Sequence, residues 1–419
     1  MFRLDNELRP YAWGSRTAIS ELLHRPASGG PEAELWLGAH PDSPSRLPDG
    51  QGLDSLIAQD PMGFLGEDSV SRFGPRLPFL LKVLAAAEPL SLQVHPSLEQ
   101  AREGFAREEA AGVPRDAATR NYRDDNHKPE MILALSPFRA LCGFRAVKDS
   151  SALFAVLASG LAEGPGRDAA QDFATRLAGE PGGLQDVFRT LIAGSEGQRQ
   201  ASEGLSAVVE GLPDGDPGRV PLEAAAALQR KYPGDPGVLI SLLLNLVDLR
   251  PGEAIHLPAG NVHAYLEGLG VEVMASSDNV LRGGLTPKHI DVAELLATVE
   301  FESLPVPYLK AGENALGEKV FAPPFQEFSL QELTLAAADE DFPSASLHQS
   351  GAAIILVVDG DIRLDGPRGE LTLGRGESAF LPASDSPVTV HLHGAGHARA
   401  FVATTGLIQQ TDSATPAEA

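Results

Sequence analysis

The spacing of hydrophobic positions changes character twice along the chain. Residues 1–150 contain short apolar runs between Gly- and Pro-rich breaks, a pattern that predicts strands and turns. Between residues 151 and 247, apolar positions recur at helical spacing. Strand-like runs return at Leu249 and continue towards the end of the chain. The pattern therefore predicts a mainly β protein with an α-helical insertion.

Individual elements can be predicted from the same pattern. The predicted strands of the first part cover residues 34–37, 78–85, 90–94 and 131–135, with helices near 15–23 and 97–109. In the insertion, the predicted helices cover residues 151–157, 170–177, 184–192, 201–209 and 222–228. A further helix is expected after Thr286-Pro287.

A short internal repeat divides the strand-rich parts into two related modules. GEAIHLPAG at residues 252–260 resembles GESAFLPAS at residues 376–384. This turn–strand–turn pattern is typical of a cupin jelly roll. We therefore predict two cupin-type jelly-roll β-barrels and an inserted helical domain. The predicted segments are a catalytic jelly roll at 1–150 and 248–303, the helical domain at 151–247, a second jelly roll without a metal site at 304–408, and a disordered tail at 409–419.

Charge and cysteine content exclude several kinds of partner and site. The chain has 33 Lys and Arg against 57 Asp and Glu, a net charge of −24, and no Lys/Arg-rich block, so neither nucleic acid nor an anionic membrane is an expected partner. Its one cysteine, Cys142, excludes a disulfide framework and a Cys-based zinc site. The first residues lack the apolar run of a signal peptide, which predicts a cytoplasmic protein.

Four residues are candidate ligands for one metal ion: Gln93, His95, Glu130 and His263. Gln93 and His95 are two positions apart, so they point to one face of a strand. Glu130 opens an apolar strand, where a buried carboxylate needs a partner or a metal. His263 begins a strand after a Pro-Ala-Gly turn, and the corresponding position of the repeat is Pro387. Zinc accepts this nitrogen and oxygen set, although manganese or another divalent ion also fits; hydrogen-bonded core pairs and a solvated turn are the alternatives.

Acid, base and cationic candidates occur nearby in sequence. Glu272 and Asp278 share one face if their strand is continuous, an arrangement suited to proton transfer, with a charged strand edge as the alternative. Arg282 precedes Gly283-Gly284, whose turn would let its side chain enter a cleft. A local positive field for an anionic ligand would come from Lys82, Lys128, Arg282 and Lys288.

Several of these motifs together resemble type I phosphomannose isomerases. The two longest are YRDDNHKPE at residues 122–130 and HAYLEGLGVEVMASSDNVLR at residues 263–282. YAWG at 11–14, ELWLGAH at 34–40 and SLQVHP at 91–96 add to the resemblance. It is strong over residues 1–300 and weaker over the C-terminal barrel.

The resemblance implies an enzyme with one zinc ion per chain that interconverts mannose 6-phosphate and fructose 6-phosphate through a cis-enediol(ate). It places the zinc ligands on the four residues named above. It implies catalytic roles for Arg282, Glu272, Asp278 and Lys128, and substrate contacts for Lys82, Ser91, Lys288 and Trp13. The chain departs from the family at Gly283, where alanine is usual, so the backbone there is expected to be slightly looser. We expect a monomer whose partner is a phosphosugar.

Three alternatives differ in class. A non-catalytic, sugar-binding cupin would keep the metal ligands and lose Glu272, Asp278, Lys128 and Arg282, all of which are present. An isomerase for another phosphorylated aldose would use the same type of site, so only turnover distinguishes it. A dual enzyme that also makes guanylylated mannose would need a Gly-rich phosphate loop, which the sequence lacks.

Overall fold

The structure is a computed structural model that describes residues 1–179, 182–313, 318–337, 343–347 and 349–407. It is rich in strands and also carries helices, as the hydrophobic pattern predicts. The tail predicted at 409–419 lies outside the described residues.

Among the described helices, none is both long enough and apolar enough to span a lipid bilayer.

The first part of the chain alternates strands with short helices. Its strands are β1 (Phe2–Leu4), β2 (Glu7–Arg9), β3 (Glu34–Leu37), β4 (Phe79–Ala86), β5 (Leu92–Val94), β6 (Glu130–Ala134) and β7 (Phe138–Phe144). Its helices are α1 (Ala18–Leu22), α2 (Leu53–Ile57), α3 (Pro61–Leu65), α4 (Glu67–Phe73) and α5 (Leu98–Ala110). The sequence pattern did not reveal α2, α3 and α4, since a helix of five to seven residues is too short to show a repeating apolar face.

The middle of the chain is helical. The helices are α6 (Val147–Gly160), α7 (Pro165–Ala178), α8 (Gly183–Ala193), α9 (Glu196–Glu203), α10 (Leu205–Gly211), α11 (Arg219–Lys231) and α12 (Gly237–Ile240), followed by a 3₁₀ turn (Ser241–Leu243). The single helix predicted at 201–209 is wrong, because the chain breaks at Gly204 between α9 and α10. A Cβ atom at Gly204 would lie 2.1 Å from Leu161 Cδ2, so the Leu161 side chain packs closely on this break and would have to move for any larger residue.

Strands dominate again after this helical stretch. They are β8 (Leu244–Leu249), β9 (Ala254–Leu257), β10 (His263–Ala275), β11 (Leu281–Gly284), β12 (Tyr308–Leu309), β13 (Gly312–Glu313), β14 (Lys319–Phe321), β15 (Ser329–Ala336), β16 (Ser344–Ser346), β17 (Ala353–Asp359), β18 (Ile362–Gly366), β19 (Gly369–Leu373), β20 (Ser378–Leu381), β21 (Thr389–Leu392) and β22 (His397–Thr404). The helix expected after Thr286-Pro287 is α13 (Val292–Thr298), and a 3₁₀ turn (Ala383–Asp385) follows β20.

The described strands form three sheets. An eleven-stranded sheet contains the path β12-β9-β6-β10-β4-β3-β2, with β5, β7, β8 and β11 joined at its side. A seven-stranded sheet has the order β1-β20-β17-β22-β15-β14-β13, and a four-stranded sheet has the order β16-β21-β18-β19. The N-terminal strand β1 therefore lies in the sheet built by strands from the other end of the chain, where Phe2 pairs with Phe380.

One apolar cluster joins the two larger sheets. It contains Leu81 and Val273 of the eleven-stranded sheet and Ile354 and Phe401 of the seven-stranded sheet, all of them buried. At about 25 cal/mol per Å² of apolar surface removed from water, such burial holds the sheets together strongly. The polar site described next lies on the opposite face of the eleven-stranded sheet from this cluster, because its residues alternate with the cluster's along β4 and β10.

Candidate active site

The long strand β10 organises the site. Its first residues pair with β5 and β7, and its later residues pair with β4 and β6. Between these two parts lies an irregularity at Tyr265/Glu267, followed by Gly268 at φ +125°. A Cβ atom at Gly268 would lie 2.6 Å from a ring carbon of Phe138, so glycine allows the strand to change neighbours here. One strand thereby carries both His263 and Glu272 into one site.

Three of the predicted metal ligands come together. The Nε2 atom of His95 lies 3.4 Å from Oε1 of Glu130, and Nε2 of His263 lies 3.3 Å from Oε2 of the same carboxylate. The ligand atoms of all three residues lie within 4.8 Å of one another, and all three side chains are buried. Two ligands about 2.1 Å from a tetrahedral zinc lie roughly 3.4 Å apart, so this spacing suits a metal between them.

Backbone carbonyls orient both imidazoles. Nδ1 of His95 lies 2.8 Å from the carbonyl oxygen of Asn279, and Nδ1 of His263 lies 3.0 Å from that of Asn261. These contacts place the ring hydrogen on Nδ1 and leave the Nε2 lone pair for a metal, the usual arrangement of a histidine ligand. Nε2 of His95 is buried and has no hydrogen-bond partner among the described atoms, an environment that suits coordination of a cation.

Gln93 lies beside this cluster. It is directly opposite His263 in the antiparallel pairing of β5 with β10. Directly opposite residues point to the same face of a sheet, so the Gln93 side chain shares the face of His263. Gln93 is also opposite Arg282 on β11, which gives the order Arg282, Gln93, His263 across three neighbouring strands.

Charge is concentrated around Glu130. Its carboxylate contacts the ammonium group of Lys128, and both side chains are less than a tenth exposed. Burial would raise the pKa of Glu130, but Lys128 and the two imidazoles hold it well below the usual range. Burial and the nearby Lys128 charge lower the pKa of His95 to about 4, so this ring is neutral and able to bind a metal.

A second ion-pair network lies on the same face. Lys82 Nζ is 3.1 Å from Oε2 of Glu272 and 3.8 Å from Oε1 of Glu34, and the Trp36 indole donates to Glu34 at 2.7 Å. Burial would lower the pKa of Lys82, but Glu272 and Glu34 raise it, so Lys82 is charged. Burial raises the pKa of Glu272, against the opposing effect of Lys82. Tyr265 lies close to these carboxylates as well. Burial raises the pKa of its hydroxyl, and the neighbouring Glu272 and Glu130 raise it further.

The mouth of the site carries three cations. Burial, followed by the charge of Arg123, lowers the pKa of Arg282. Burial, then Arg282 and Arg123, lowers the pKa of Lys288. Neither Arg282 nor Lys288 has an ion-pair partner among the described residues, whereas the deeper Lys82 and Lys128 both do. This cluster is available to an anion.

Asp278 does not share a strand with Glu272, and the expectation of one continuous strand face is wrong. Strand β10 ends at Ala275: the Ser276 amide still donates to Pro78, just before β4, but the Asp278 amide donates at 2.8 Å to the side chain of Asp124 in the loop before Glu130. The Asp278 carboxylate lies 3.4 Å from Nε2 of His40, whose ring stands edge-on to Trp36. Asp278 therefore lies at the mouth of the site, about a quarter exposed, while Glu272 is buried.

The two remaining predicted substrate contacts, Ser91 and Trp13, are only partly buried. Ser91 is half-buried, one residue before β5. Trp13 is half-buried, stacks on Tyr11 and packs against the apolar cluster that contains Tyr265. The backbone carbonyl of Trp13 accepts hydrogen bonds from Ala87 and Glu88, which places it at the end of β4.

Sequence reasoning missed Glu34, His40, Arg123 and Tyr265 as parts of this region. Two of them could have been found from strand alternation. Tyr265 is two positions from the predicted ligand His263, and Glu34 is two positions from Trp36 in the motif at 34–40. Arg123 had no such signal, since its neighbourhood depends on how the loop at 121–129 folds.

Comparisons with known proteins identify the family. Residues 1–147 match the family model "Phosphomannose isomerase type I, catalytic domain", and residues 319–402 match "Mannose-6-phosphate isomerase, cupin domain". The mannose-6-phosphate isomerase of Escherichia coli is 43% identical over 400 residues, covering 94% of this chain and 98% of that protein. The enzyme of the same name from Rattus norvegicus is 31% identical over 424 residues, covering 92% and 94%.

Solved structures extend the comparison to three dimensions. A mannose 6-phosphate isomerase bound with zinc and yttrium superimposes with a TM-score of 0.85 at 39% identity, covering 97% of this chain and 99% of that one. The Salmonella typhimurium enzyme bound to fructose 6-phosphate and zinc gives the same values. On this identity and coverage, the chain belongs to the mannose-6-phosphate isomerase family.

Proposed function

We propose that this chain interconverts mannose 6-phosphate and fructose 6-phosphate in a zinc-dependent reaction. The observation that carries the proposal is the joining, on one sheet face, of a buried His-Glu-His cluster with the Lys82–Glu272 ion pair. A site with only the first could bind a metal, and a site with only the second could move a proton. An aldose–ketose isomerase needs both an electrophile and a base.

His95, Glu130, His263 and Gln93 would hold the zinc ion. The support is the ligand spacing, the neutral His95 ring and the orientation of both Nε2 atoms described above. A zinc ion bound there supplies a fixed positive charge for orienting and stabilising sugar oxygens. Lys128 lies against the same carboxylate and adds a second positive charge at that end of the site.

Glu272 is the proposed base. After the sugar ring opens, its carboxylate would take the proton from C2 of the aldose, form a cis-enediolate, and return the proton to C1. Its buried position and raised pKa suit this role, because a base is most effective when its pKa approaches the working pH. Asp278 is the alternative base, with His40 against its carboxylate.

The charges of the substrate and of the enediolate need separate partners. The proposed phosphate position is the Arg282, Lys288 and Arg123 cluster, because none of the three pairs with a carboxylate in the part of the chain that the structure describes, and phosphate pairs strongly with guanidinium and ammonium groups. Lys82 is already held between Glu34 and Glu272, so we assign it to the base rather than to the phosphate. Ser91 and Trp13 remain proposed substrate contacts at the rim.

The wider organisation stays as proposed from the sequence. It consists of two cupin-type jelly rolls, the first interrupted by a helical domain at 151–247, with the metal site in the first. The match of residues 319–402 to a cupin model supports the second module. The cytoplasmic location and the monomeric state are proposals that rest on the sequence alone.

The rival function is an isomerase for another phosphorylated aldose. A panel of aldose 6-phosphates that includes mannose, glucose and allose separates the two, with ketose formation measured for each. The proposal expects mannose 6-phosphate to have a kcat/KM at least tenfold above the others. A higher value for any other aldose phosphate would assign the site to that sugar instead.

A further inference from the structure

A contact from the segment before β15 reaches the loop beside the candidate active site. Nε2 of His127 lies 2.7 Å from Oε1 of Glu327, two residues that are 200 positions apart in the chain. His127 belongs to the segment directly before Lys128 and Glu130, and Glu327 lies just before β15. The ring and the carboxylate are only 21% and 14% exposed, so water does not compete freely for this bond.

The loop at 121–127, which we call the ligand-entry loop, is held by several groups. Glu108 accepts from the amides of Asn121 and Tyr122, and Ser277 and Asp278 donate to the Asp124 carboxylate. Asn279 accepts from the Arg123 amide at 2.7 Å and donates to the carbonyl oxygens of Asp124 and Asn126 at 2.8 Å. These bonds fix the middle of the loop, and none of them involves the residue that adjoins Lys128. His127 is held by Glu327 instead.

The bond to Glu327 is charge-assisted. Burial would raise the pKa of Glu327, but the hydrogen bond from His127 and the charges of His127 and Arg72 lower it, so the carboxylate is ionised. A hydrogen bond from an imidazole to an ionised carboxylate is stronger than one between neutral groups. It therefore holds the end of the ligand-entry loop in one position beside the buried Lys128–Glu130 pair.

We propose that Glu327 is a positioning residue for the reaction, acting through His127 to fix the end of the ligand-entry loop and with it the Lys128 side chain. The inference rests on the proposed function. It gives the segment before β15 a role in the reaction, although the seven-stranded sheet contributes no member of the His95–Glu130–His263 cluster. Glu327 itself touches no reacting atom, so its removal should act on turnover and loop order rather than on metal binding.

The neighbouring Gln326 provides a matched control. Its side chain also crosses between the two parts of the protein, where it accepts from Arg72 Nε at 2.6 Å rather than from the ligand-entry loop. Glu327→Ala removes the bond to the loop, Glu327→Gln keeps a hydrogen-bond acceptor of the same size, and Gln326→Ala removes a bond across the same interface. His127→Ala provides the background in which Glu327 has no partner left.

The experiment compares these variants in kcat, KM, zinc content and amide hydrogen exchange of residues 123–127. We expect Glu327→Ala to lower kcat about tenfold with a smaller change in KM, since a small displacement of a catalytic group has effects of this order. Zinc content should stay at the level of the unmodified chain, and exchange in the loop should accelerate. Glu327→Gln should recover most of the loss, Gln326→Ala should change neither readout, and Glu327→Ala should add nothing in the His127→Ala background.

Two results would overturn the inference. One is an unchanged kcat and unchanged loop exchange in Glu327→Ala. The other is an equal effect of Gln326→Ala, which would mean that any weakening of the interface is sufficient. Failure of the proposed function is recognised separately, because the unmodified, zinc-loaded chain would then not convert mannose 6-phosphate while the exchange measurement still reports on the loop.

Discussion

His95 and His263 show at the scale of single residues how the chain prepares a metal site. In each ring, Nδ1 faces a backbone carbonyl and Nε2 faces the Glu130 carboxylate. The carbonyls belong to Asn279, two residues before β11, and to Asn261, two residues before β10. The rings are therefore oriented for coordination by the fold itself.

His263→Ala should abolish zinc binding and isomerase activity together, because the cluster would keep only one imidazole. His256→Gln is the matched control: it also alters a half-buried histidine close in sequence, but the His256 ring stands edge-on to Phe325 and is absent from the described metal cluster. Zinc content by elemental analysis and turnover of mannose 6-phosphate are the two measurements. Full zinc content in His263→Ala would refute the ligand assignment.

The ionisation of Glu272 allows a prediction with a defined sign. Burial raises the pKa of Glu272. The charge of Lys82 lowers this pKa, and the charge of Glu34 raises it. If the ionised Glu272 carboxylate is the base, activity is lost as pH falls through its pKa. Lys82→Met should therefore move the acid limb of kcat/KM to higher pH, and Glu34→Gln should move it to lower pH.

The pH profiles of kcat/KM for the two variants are the measurement, with zinc content checked in each. Opposite shifts would identify Glu272. Profiles that both coincide with that of the unmodified chain would point to Asp278, which pairs with His40 instead.

For single residues, the sequence indicated candidate metal ligands but not the contacts of the charged residues around them. Gln93, His95, Glu130 and His263 could be proposed from strand alternation and from a carboxylate at the start of an apolar strand. The contacts of Lys82 with Glu34 and of Asp278 with His40 could not, because each joins segments whose proximity depends on the register between strands or on loop structure.

Strand β11 shows what an element contributes beyond its residues. It brings Arg282 opposite Gln93 and ends in two glycines with different roles. A Cβ atom at Gly283 would meet its nearest neighbours at 3.7–3.9 Å, which is ordinary contact, and its φ is not in the left-handed region. Gly284 has φ +131°, and a Cβ there would lie 2.7 Å from Gly237.

The two glycines should therefore respond in opposite ways to alanine. Gly283→Ala should stabilise the protein by about 0.4–1 kcal/mol, because it reduces the freedom of the unfolded chain without strain. Gly284→Ala should destabilise it by more than that, through backbone strain and the clash with Gly237. The measurement is the free energy of unfolding in denaturant for both variants; a loss of stability in Gly283→Ala would contradict the description of β11.

Elements were predictable where their pattern was long. The apolar repeat at 184–192 and the strands around residues 79–86 and 130–134 appear close to their predicted limits. The break at Gly204 and the end of β10 at Ala275 were missed, because one depends on close packing against Leu161 and the other on bonds to a loop 150 residues away.

Over the whole molecule, the two ends of the chain are combined. Strand β1 completes the sheet of the C-terminal strands, a shared apolar cluster joins that sheet to the eleven-stranded sheet, and Glu327 reaches the ligand-entry loop. The chain is strongly acidic, yet its cations Arg282, Lys288 and Arg123 lie together at the mouth of the site. This cluster would give the proposed phosphosugar substrate a local attraction to a protein whose net charge of −24 would otherwise repel it.

These long-range contacts could not be predicted from the sequence pattern. The internal repeat indicated two related modules, but nothing in it reveals that residues 2–4 pair with residues 378–380 or that a loop of one module is held by the other. Such pairings depend on packing between distant segments, which hydrophobic periodicity does not encode.

The most direct test of the zinc-dependent isomerisation is the turnover of mannose 6-phosphate to fructose 6-phosphate by the intact chain before chelation, after chelation and after zinc is returned. We expect activity that disappears with the chelator and is restored by zinc, because His95, Glu130 and His263 form a site that a cation completes. Undiminished activity in fully metal-free protein would contradict the zinc dependence, and no conversion by the folded, zinc-loaded chain would contradict the proposed reaction.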